Sequence, residues 1–321
     1  MRIILFLFVN VLLADPLASW NEGETKNRII EFVRETTDSQ NPNFIPVEDR
    51  IATFDQDGTL WVEQPLYTQF IFALNQIKKK ANEHPEWKDQ EPYKWVIENN
   101  VEKFKTITEQ DIAKIIAVTH AGISVHQFYE LVGQFLKTAE HPRFKRPFTE
   151  LVYQPMIELI TYLQDNQFKT YIVSGGGQEF MRVYAKRVYN IPDEQIIGSA
   201  GKTKYVYNEG KPYLEKLPAV LYIDDKEGKP EGINLIIGKK PVAAFGNSDG
   251  DRQMLEWTQS GQGKRLELLV HHDDATREYS YGPESKIGTF SESLMQEAKE
   301  KKWIVVSMKD DWKKIFAWET D

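Results

Sequence analysis

The stretch IATFDQDGTLWVEQ, residues 51–64, places two carboxylates directly after a short apolar run. Residues 50–54 have the composition of a buried β-strand, and Asp55 and Asp57 follow it at once. Gly58 then allows a tight turn. In an open α/β sheet, ligands bind beyond the carboxyl ends of the strands. The stretch therefore predicts one edge of a functional site, which other strand ends must complete.

Two further predicted strands end in polar loops, and a lysine-bearing loop lies between them in the chain. Residues 168–174 end in Ser174, which Gly175, Gly176 and Gly177 follow before a helix. Residues 241–251, PVAAFGNSDGD, end in Asn247, Asp249 and Asp251. The intervening loop, DDKEGKPEGI at 224–233, carries Lys226 and Lys229. Parallel strands would bring these acids, amides and a lysine to one edge of a sheet.

The order of the predicted elements indicates the fold class. After residue 166, strands alternate with helices, which favours a parallel sheet covered by helices on both faces. Residues 65–165 show helical spacing of apolar residues without strand-like alternation. We therefore expect a Rossmann-like three-layer α/β/α core, mainly parallel, formed by residues 15–64 and 166–321. Residues 65–165 are expected to form an inserted helical cap.

Composition excludes several classes of function. The net charge is −8 and the basic residues form no stripe, so the sequence gives no reason to expect nucleic-acid binding. The chain has no cysteine, which excludes disulfides and thiolate catalysis.

The N-terminal segment predicts export. Arg2 precedes an apolar run from Ile3 to Ala14, which is too short to span a bilayer but suits a signal peptide. We expect cleavage after Ala14, with Ala18 as a poorer site, and a periplasmic or secreted enzyme without a stable membrane anchor. A buried N-terminal strand or an uncleaved anchor are the alternatives.

The residue types at the strand ends favour phosphoryl chemistry. Carboxylate and amide oxygens are the ligands that Mg²⁺ prefers. An aspartate can attack phosphorus, a second acid can protonate the leaving oxygen, and a helix N-terminus with a lysine can hold the phosphoryl oxygens. Taken alone, residues 55–59 and 174–177 could each be an ordinary turn, residues 246–251 could be a calcium loop, and the loop lysine could simply be solvated. Their occurrence together, in this order, favours the functional interpretation.

The motifs FDQDGTL, IVSGG, the loop lysine and GNSDGD resemble those of the haloacid dehalogenase superfamily, in its phosphoserine-phosphatase-like branch. The resemblance covers the core, roughly residues 45–62 and 165–321, and the whole chain looks like a group of exported bacterial hydrolases. It implies that Asp55 is the nucleophile and Asp57 the general acid/base. The dehalogenases lack an acid at the second position, so Asp57 favours phosphate esters as substrates.

The resemblance also implies roles for the remaining site residues. Lys229 matches the third-motif lysine, with Lys226 as the competing choice. Asp55, Asp57, Asn247 and Asp251 match the Mg²⁺ ligands, although the family has an acid where this chain has Asn247, and Asp249 is an additional candidate. Residues assigned to phosphate or substrate binding are Ser174, Gly175, Gly176, Thr59 and Glu63. Glu63 has an equal alternative as a solvent-facing linker acid.

The sequence thus predicts an Mg²⁺-dependent phosphomonoester hydrolase acting through an aspartyl-phosphate on a small phosphorylated metabolite. A phosphotransferase using the same intermediate is one alternative. A non-catalytic protein that binds Mg²⁺ and phosphate on the same scaffold is the other.

Overall fold

A computed structural model describes residues 15–104 and 106–320. The predicted signal peptide, residues 1–14, lies outside the described residues. Among the residues that are described, no helix has the length and apolar character needed to cross a bilayer.

One seven-stranded sheet organises the described part of the chain. The strands are β1 (Ile51–Phe54), β2 (Lys169–Gly177), β3 (Ile196–Asn208), β4 (Lys211–Tyr222), β5 (Ala243–Gly246), β6 (Leu266–His271) and β7 (Ile304–Ser307). They lie in the order β4-β3-β2-β1-β5-β6-β7, and every neighbouring pair is parallel except the antiparallel pair β3–β4. The predicted mainly parallel α/β fold is confirmed.

Helices cover both faces of this sheet because its central strands are apolar on both sides. Alternate residues point to opposite faces, so Phe245 packs in one cluster and its neighbour Ala244 in the other. Phe54 stacks on Phe245 with ring centroids 4.3 Å apart. The first face is covered by α1 (Glu24–Thr37), α7 (Gln154–Asp165), α8 (Gln178–Arg182) and α9 (Ala185–Tyr189), and the second by α10 (Gly228–Ile236), α11 (Arg252–Gln259) and α12 (Glu292–Lys301).

The chain between β1 and α7 is helical, as its periodicity predicts. Its helices are α2 (Thr68–Lys80), α3 (Tyr93–Ile97), α4 (Val101–Phe104), α5 (Glu109–His120) and α6 (Val125–Thr138). Ala73, Ile77 and Trp87 belong to a small hydrophobic cluster separate from those on the sheet. Asn99, in a left-handed conformation with φ 53°, separates α3 from α4.

The antiparallel pair β3–β4 is longer than the sequence predicts. The sequence pattern predicts strands at 196–200 and 220–224 on either side of a hairpin at 202–214, and these segments join into two long strands. The expected turn at 208–210 is present, with positive φ at Glu209 and Gly210, as a tight hairpin turn requires. The outer edge of β4 is partly covered, since Gly122 N–H donates to the Lys216 carbonyl and Lys216 N–H donates to the Ile123 carbonyl.

Candidate active site

Lys229 joins the ends of three strands at the carboxyl edge of the sheet. Its Nζ donates to Asp55 Oδ1 at 2.5 Å, to Asp251 Oδ1 at 2.6 Å and to the carbonyl of Val173 at 2.9 Å. Burial opposes the charge on Lys229, but Asp251 and Asp55 hold its pKa above its ordinary value. Lys226 is exposed on the preceding loop. Of the two candidate lysines, the structure therefore brings Lys229 to the site.

Asp55 continues the ladder of the sheet, and this fixes its position. Its N–H donates to the Phe245 carbonyl on β5 at 2.8 Å. Asp55 is only 6% exposed, and burial raises the pKa of its carboxyl while the Lys229 charge opposes that rise. Among the described residues, its Oδ2 has no hydrogen bond, so one oxygen of this carboxylate remains available to a ligand.

Asp57 lies in the turn that follows β1, held by an aromatic side chain. The Trp61 indole N–H donates to Asp57 Oδ1 at 2.6 Å, and Trp61 stacks on Tyr184 at a centroid distance of 4.7 Å. Burial raises the pKa of Asp57 to about 6, against the effect of the Trp61 hydrogen bond. A carboxyl group with this pKa can hold or release a proton near neutrality, as a general acid/base must.

The loop after β5 is organised around Asp251. Asp251 Oδ2 accepts the N–H groups of Asn247 at 2.9 Å and Ser248 at 3.0 Å, while its Oδ1 accepts from Lys229. Both Asp251 oxygens therefore have protein partners. The Asp249 carboxylate instead accepts from Ser291 Oγ at 2.7 Å and from Arg252, next to α12.

Asn247 contacts two of the other predicted site residues. Thr59 Oγ1 donates to Asn247 Oδ1 at 3.1 Å, and Asn247 Nδ2 donates to Glu63 Oε1 at 2.7 Å. Glu63 is 2% exposed and also accepts from the Tyr281 hydroxyl at 2.6 Å. Burial raises the pKa of Glu63, and the Tyr281 hydrogen bond opposes the rise. The alternative of a solvent-facing linker acid is therefore wrong.

The glycine-rich end of β2 forms the opposite side of the site. Ser174 is buried, and its Oγ accepts the Gly176 N–H at 3.3 Å. A Cβ at Gly176 would lie 3.7 Å from Asp57 Oδ2, so this loop and the acid are adjacent. A Cβ at Gly175 would lie 3.7 Å from Asp225 Oδ1, an acid at the mouth of the site that the sequence analysis did not single out.

Gln69 on α2 connects the inserted helices to this loop. Its Oε1 accepts the Gly177 N–H at 2.7 Å, and its Nε2 lies 3.3 Å from His120 Nε2. Burial lowers the pKa of His120 to about 3, so the ring is neutral and its Nε2 accepts from Gln69. His120 Nδ1 can then donate to Thr119 Oγ1 at 2.7 Å. A single directed chain of hydrogen bonds runs from β2 into α5.

A fourth strand end contributes residues that the sequence analysis missed. His272, directly after β6, is buried, and its Nε2 lies 2.7 Å from the Gly58 carbonyl. Its Nδ1 lies 3.0 Å from Glu278 Oε2, and Tyr281 stacks on its ring with centroids 4.4 Å apart. The rule that ligands bind at strand ends would have found His272 if it had been applied to residues 265–272 as well.

The donor set fits a hard divalent cation through mixed ligands. Within residues 15–104 and 106–320, no three His, Cys, Asp or Glu side chains could hold a metal by themselves. Asp55 Oδ2 is unpartnered among the described residues, and Asn247 Oδ1 accepts only from Thr59 there. The buried acids Asp55 and Asp251 share one buried cation, Lys229, and the half-buried Asp57 adds a third carboxyl group two residues from Asp55. This excess of negative charge and the oxygen donors suit Mg²⁺.

Comparison with known structures and families gives the fold and the family. No curated protein matches the chain. A conserved, functionally unknown protein from Anaerococcus prevotii DSM 20548 has a TM-score of 0.60 at 16% identity, covering 92% of this chain and 94% of the other. A protein of unknown function from Bordetella pertussis Tohama I has a TM-score of 0.51 at 14% identity, covering 81% and 98%.

A phosphoserine phosphohydrolase-like protein from Francisella tularensis subsp. tularensis SCHU S4 superposes less well, with a TM-score of 0.37 at 17% identity, covering 69% of this chain and 87% of the other. These structural likenesses describe the fold alone. The family model of haloacid dehalogenase-like hydrolases matches residues 50–257, which include every strand end of the site described above except that of β6. The chain therefore belongs to the haloacid dehalogenase-like hydrolase family.

Proposed function

We propose that this hydrolase is an Mg²⁺-dependent phosphomonoesterase that acts through an aspartyl-phosphate on a small phosphorylated metabolite. The observation that carries the proposal is the pairing of two acids of different character at one strand end. Asp55 is held by Lys229 at 2.5 Å, and desolvation raises the pKa of the half-buried Asp57 to about 6. One acid suits nucleophilic attack and the other suits proton transfer.

In the first step, a carboxylate oxygen of Asp55 forms a bond to phosphorus. The bond between phosphorus and the ester oxygen breaks, and protonated Asp57 gives its proton to that leaving oxygen. The product is an alcohol and a phosphorylated Asp55. Lys229 lies against Asp55 Oδ1 and keeps the carboxylate oriented while charge moves onto the phosphoryl oxygens.

In the second step, Asp57 takes a proton from water as the water oxygen attacks phosphorus. The bond between phosphorus and Asp55 breaks, which releases inorganic phosphate and restores both acids. Trp61 donates to Asp57 Oδ1 and leaves Oδ2, on the side of Gly176, to exchange the proton. The same carboxyl group serves both steps, which requires a pKa near the working pH.

The Asp55 carboxylate, the Asp57 main-chain carbonyl and Asn247 Oδ1 are the groups that would hold Mg²⁺. When bound, the cation supplies positive charge that neutralises the acids and the phosphoryl oxygens. Asp251 would contribute indirectly, since both its oxygens hold Lys229 and the loop that carries Asn247.

The experiment is hydrolysis of p-nitrophenyl phosphate by the chain from Asp15 onward, with Mg²⁺ and with EDTA. We expect activity that requires the metal and falls by at least about 10³-fold in Asp55→Asn. Asp310→Asn, which changes an exposed acid, is the matched control and should retain activity. Metal-independent turnover, or turnover that survives in Asp55→Asn, would contradict the mechanism. Transfer of phosphate to an added alcohol in place of water would instead identify a phosphotransferase.

We also propose that the enzyme acts in the periplasm or outside the cell. The support is the apolar run from Ile3 to Ala14 behind Arg2. N-terminal sequencing of the protein recovered from cell fractions tests this. A chain in the exported fraction that begins at Asp15 is the expected result, and an intact N-terminus in the cytoplasmic fraction would contradict it.

A further inference from the structure

Glu63 lies in a closed cradle beside the proposed metal ligands. It is 2% exposed, and its Oε1 receives two hydrogen bonds, from Asn247 Nδ2 at 2.7 Å and from the Tyr281 hydroxyl at 2.6 Å. Both partners donate, so Glu63 acts here as an acceptor. Burying a carboxylate costs desolvation free energy, so its position here indicates a specific role.

Two glycines leave room for this carboxylate. Gly58 and Gly288 both have positive φ, +77° and +63°, and a Cβ on either would collide with Glu63 Oε1. A Cβ on Gly58 would also collide with the Asn247 amide. The turn after β1 and the loop before α12 are therefore shaped around the contact between Glu63 and Asn247.

The contact fixes which end of the Asn247 side chain faces the site. An asparagine amide has a donor end and an acceptor end of nearly equal size. Asn247 Nδ2 donates to Glu63 Oε1, and Oδ1 points the other way, where Thr59 Oγ1 donates to it at 3.1 Å. A hydrogen bond from Nδ2 to a carboxylate also polarises the amide and makes Oδ1 a better ligand.

We propose that Glu63 is a positioning residue of the metal centre, which orients Asn247 so that Oδ1 faces the cation. Through its hydrogen bond with Asn247, the Glu63 carboxylate also supplies the negative charge that asparagine lacks as a ligand. The inference rests on the proposed Mg²⁺ site. Carboxylates that hydrogen-bond a metal ligand act in this way at other metal sites, and their loss weakens metal binding by about 10–100-fold. Glu63 thus belongs to the metal site, and its carboxylate is not directed at the substrate.

The test is calorimetric titration of MgCl₂ into the chain from Asp15 onward, without substrate. The proteins are wild type, Glu63→Gln, the double variant Glu63→Gln/Asn247→Asp, and Glu267→Gln as a control buried acid on β6. We expect Glu63→Gln to weaken Mg²⁺ binding about 10–100-fold, because the introduced amide can present its own N–H and allow the Asn247 amide to reverse. The double variant moves the charge onto position 247 and should bind within about fivefold of wild type.

Each outcome decides a separate point. Binding by Glu63→Gln within about threefold of wild type overturns the inference, and so does a double variant that binds no better than Glu63→Gln. If Glu63→Gln fails to fold, the double variant and Tyr281→Phe carry the test: both should bind within about fivefold of wild type, and weaker binding by either overturns the inference. Wild type that binds no Mg²⁺ overturns the proposed cofactor first, which distinguishes that failure from a failure at Glu63.

Discussion

The strand-end loops and the inserted helices meet at the same site but contribute to it in different ways. At the strand ends, Lys229 and Asp251 each have several close partners, and these bring charged groups together in the interior. From the side of the inserted helices, Gln69 accepts from Gly177 N–H, and Tyr67 accepts from Gly288 N–H at 3.4 Å. The difference indicates that the charged groups of the site come from the strand ends, whereas the inserted segment contributes neutral groups that hold the surrounding loops.

Among the residues at the strand ends, the largest effect of a substitution is expected at Lys229. Lys229→Met would leave Asp55 and Asp251 buried without a cation, so we expect a loss of about 3–5 kcal/mol in the free energy of unfolding and no measurable turnover. Urea denaturation and p-nitrophenyl phosphate hydrolysis provide the two measurements. Lys226→Met, three residues away and exposed, is the matched control and should stay within about 0.5 kcal/mol of wild type with normal turnover. Equal effects of the two substitutions would show that Lys229 has no special role.

The second prediction concerns Asp57. Asp57→Asn removes the proton donor but leaves the nucleophile, so we expect a loss of about 10²–10⁴-fold in kcat for an alkyl phosphate. The loss should be clearly smaller for p-nitrophenyl phosphate, because nitrophenolate leaves with little need of a proton. The measurement is the ratio of kcat values for the two substrates in both proteins. An equal loss for both substrates would argue that Asp57 only maintains the structure of the turn.

The same division explains what could be predicted from the sequence. Asp55, Asp57, Ser174 and Asn247 stand next to apolar strand patterns, and parallel pairing brings strand ends together regardless of the rest of the chain. Which of Lys229 and Lys226 enters the site depends on the orientation of the first turn of α10, and the local sequence pattern does not determine that orientation.

The contacts between residues that are distant in the sequence could not be predicted. Gln69 lies 108 positions from Gly177 and Glu63 lies 184 positions from Asn247, and no periodicity relates them. His272 lies at a strand end and could have been found, but its contact with the Gly58 carbonyl depends on the neighbouring arrangement of β5 and β6. Side-chain contacts between residues far apart in the sequence are therefore the part of the site that the sequence does not predict.

A smaller effect is expected where the inserted helices touch the site. Gln69→Ala removes the acceptor of the Gly177 N–H and the donor to His120, a loss of about 0.5–1.5 kcal/mol per hydrogen bond. We expect KM to rise by about 2–10-fold with little change in kcat, because no reacting group is altered. Steady-state kinetics with one substrate measures both. Lys79→Ala, exposed on the same helix, is the control and should change neither. A collapse of kcat in Gln69→Ala would mean that α2 also contributes to the chemical step.

The smallest effect on catalysis is expected inside the sheet, at Glu267 on β6. This acid is 7% exposed, and burial raises its pKa from 4.5 to about 7, while the charges of Arg265 and Arg28 oppose the rise. Since the pKa is higher in the folded state than in the unfolded chain, the group's contribution to stability is fully present below about pH 4.5. It is lost as the pH rises through about 7.

Glu267→Gln should therefore match wild type in stability near pH 4.5 and exceed it by about 2–3 kcal/mol at pH 8. Denaturant unfolding of both proteins across this range measures the difference, in which the contributions of the other acids cancel. Turnover and its dependence on Mg²⁺ should not change, because Glu267 lies near the start of β6, away from the carboxyl ends of the strands. A change in turnover would show that an acid near the start of a strand affects catalysis. It would then contradict the conclusion that the strand ends form a separate chemical region.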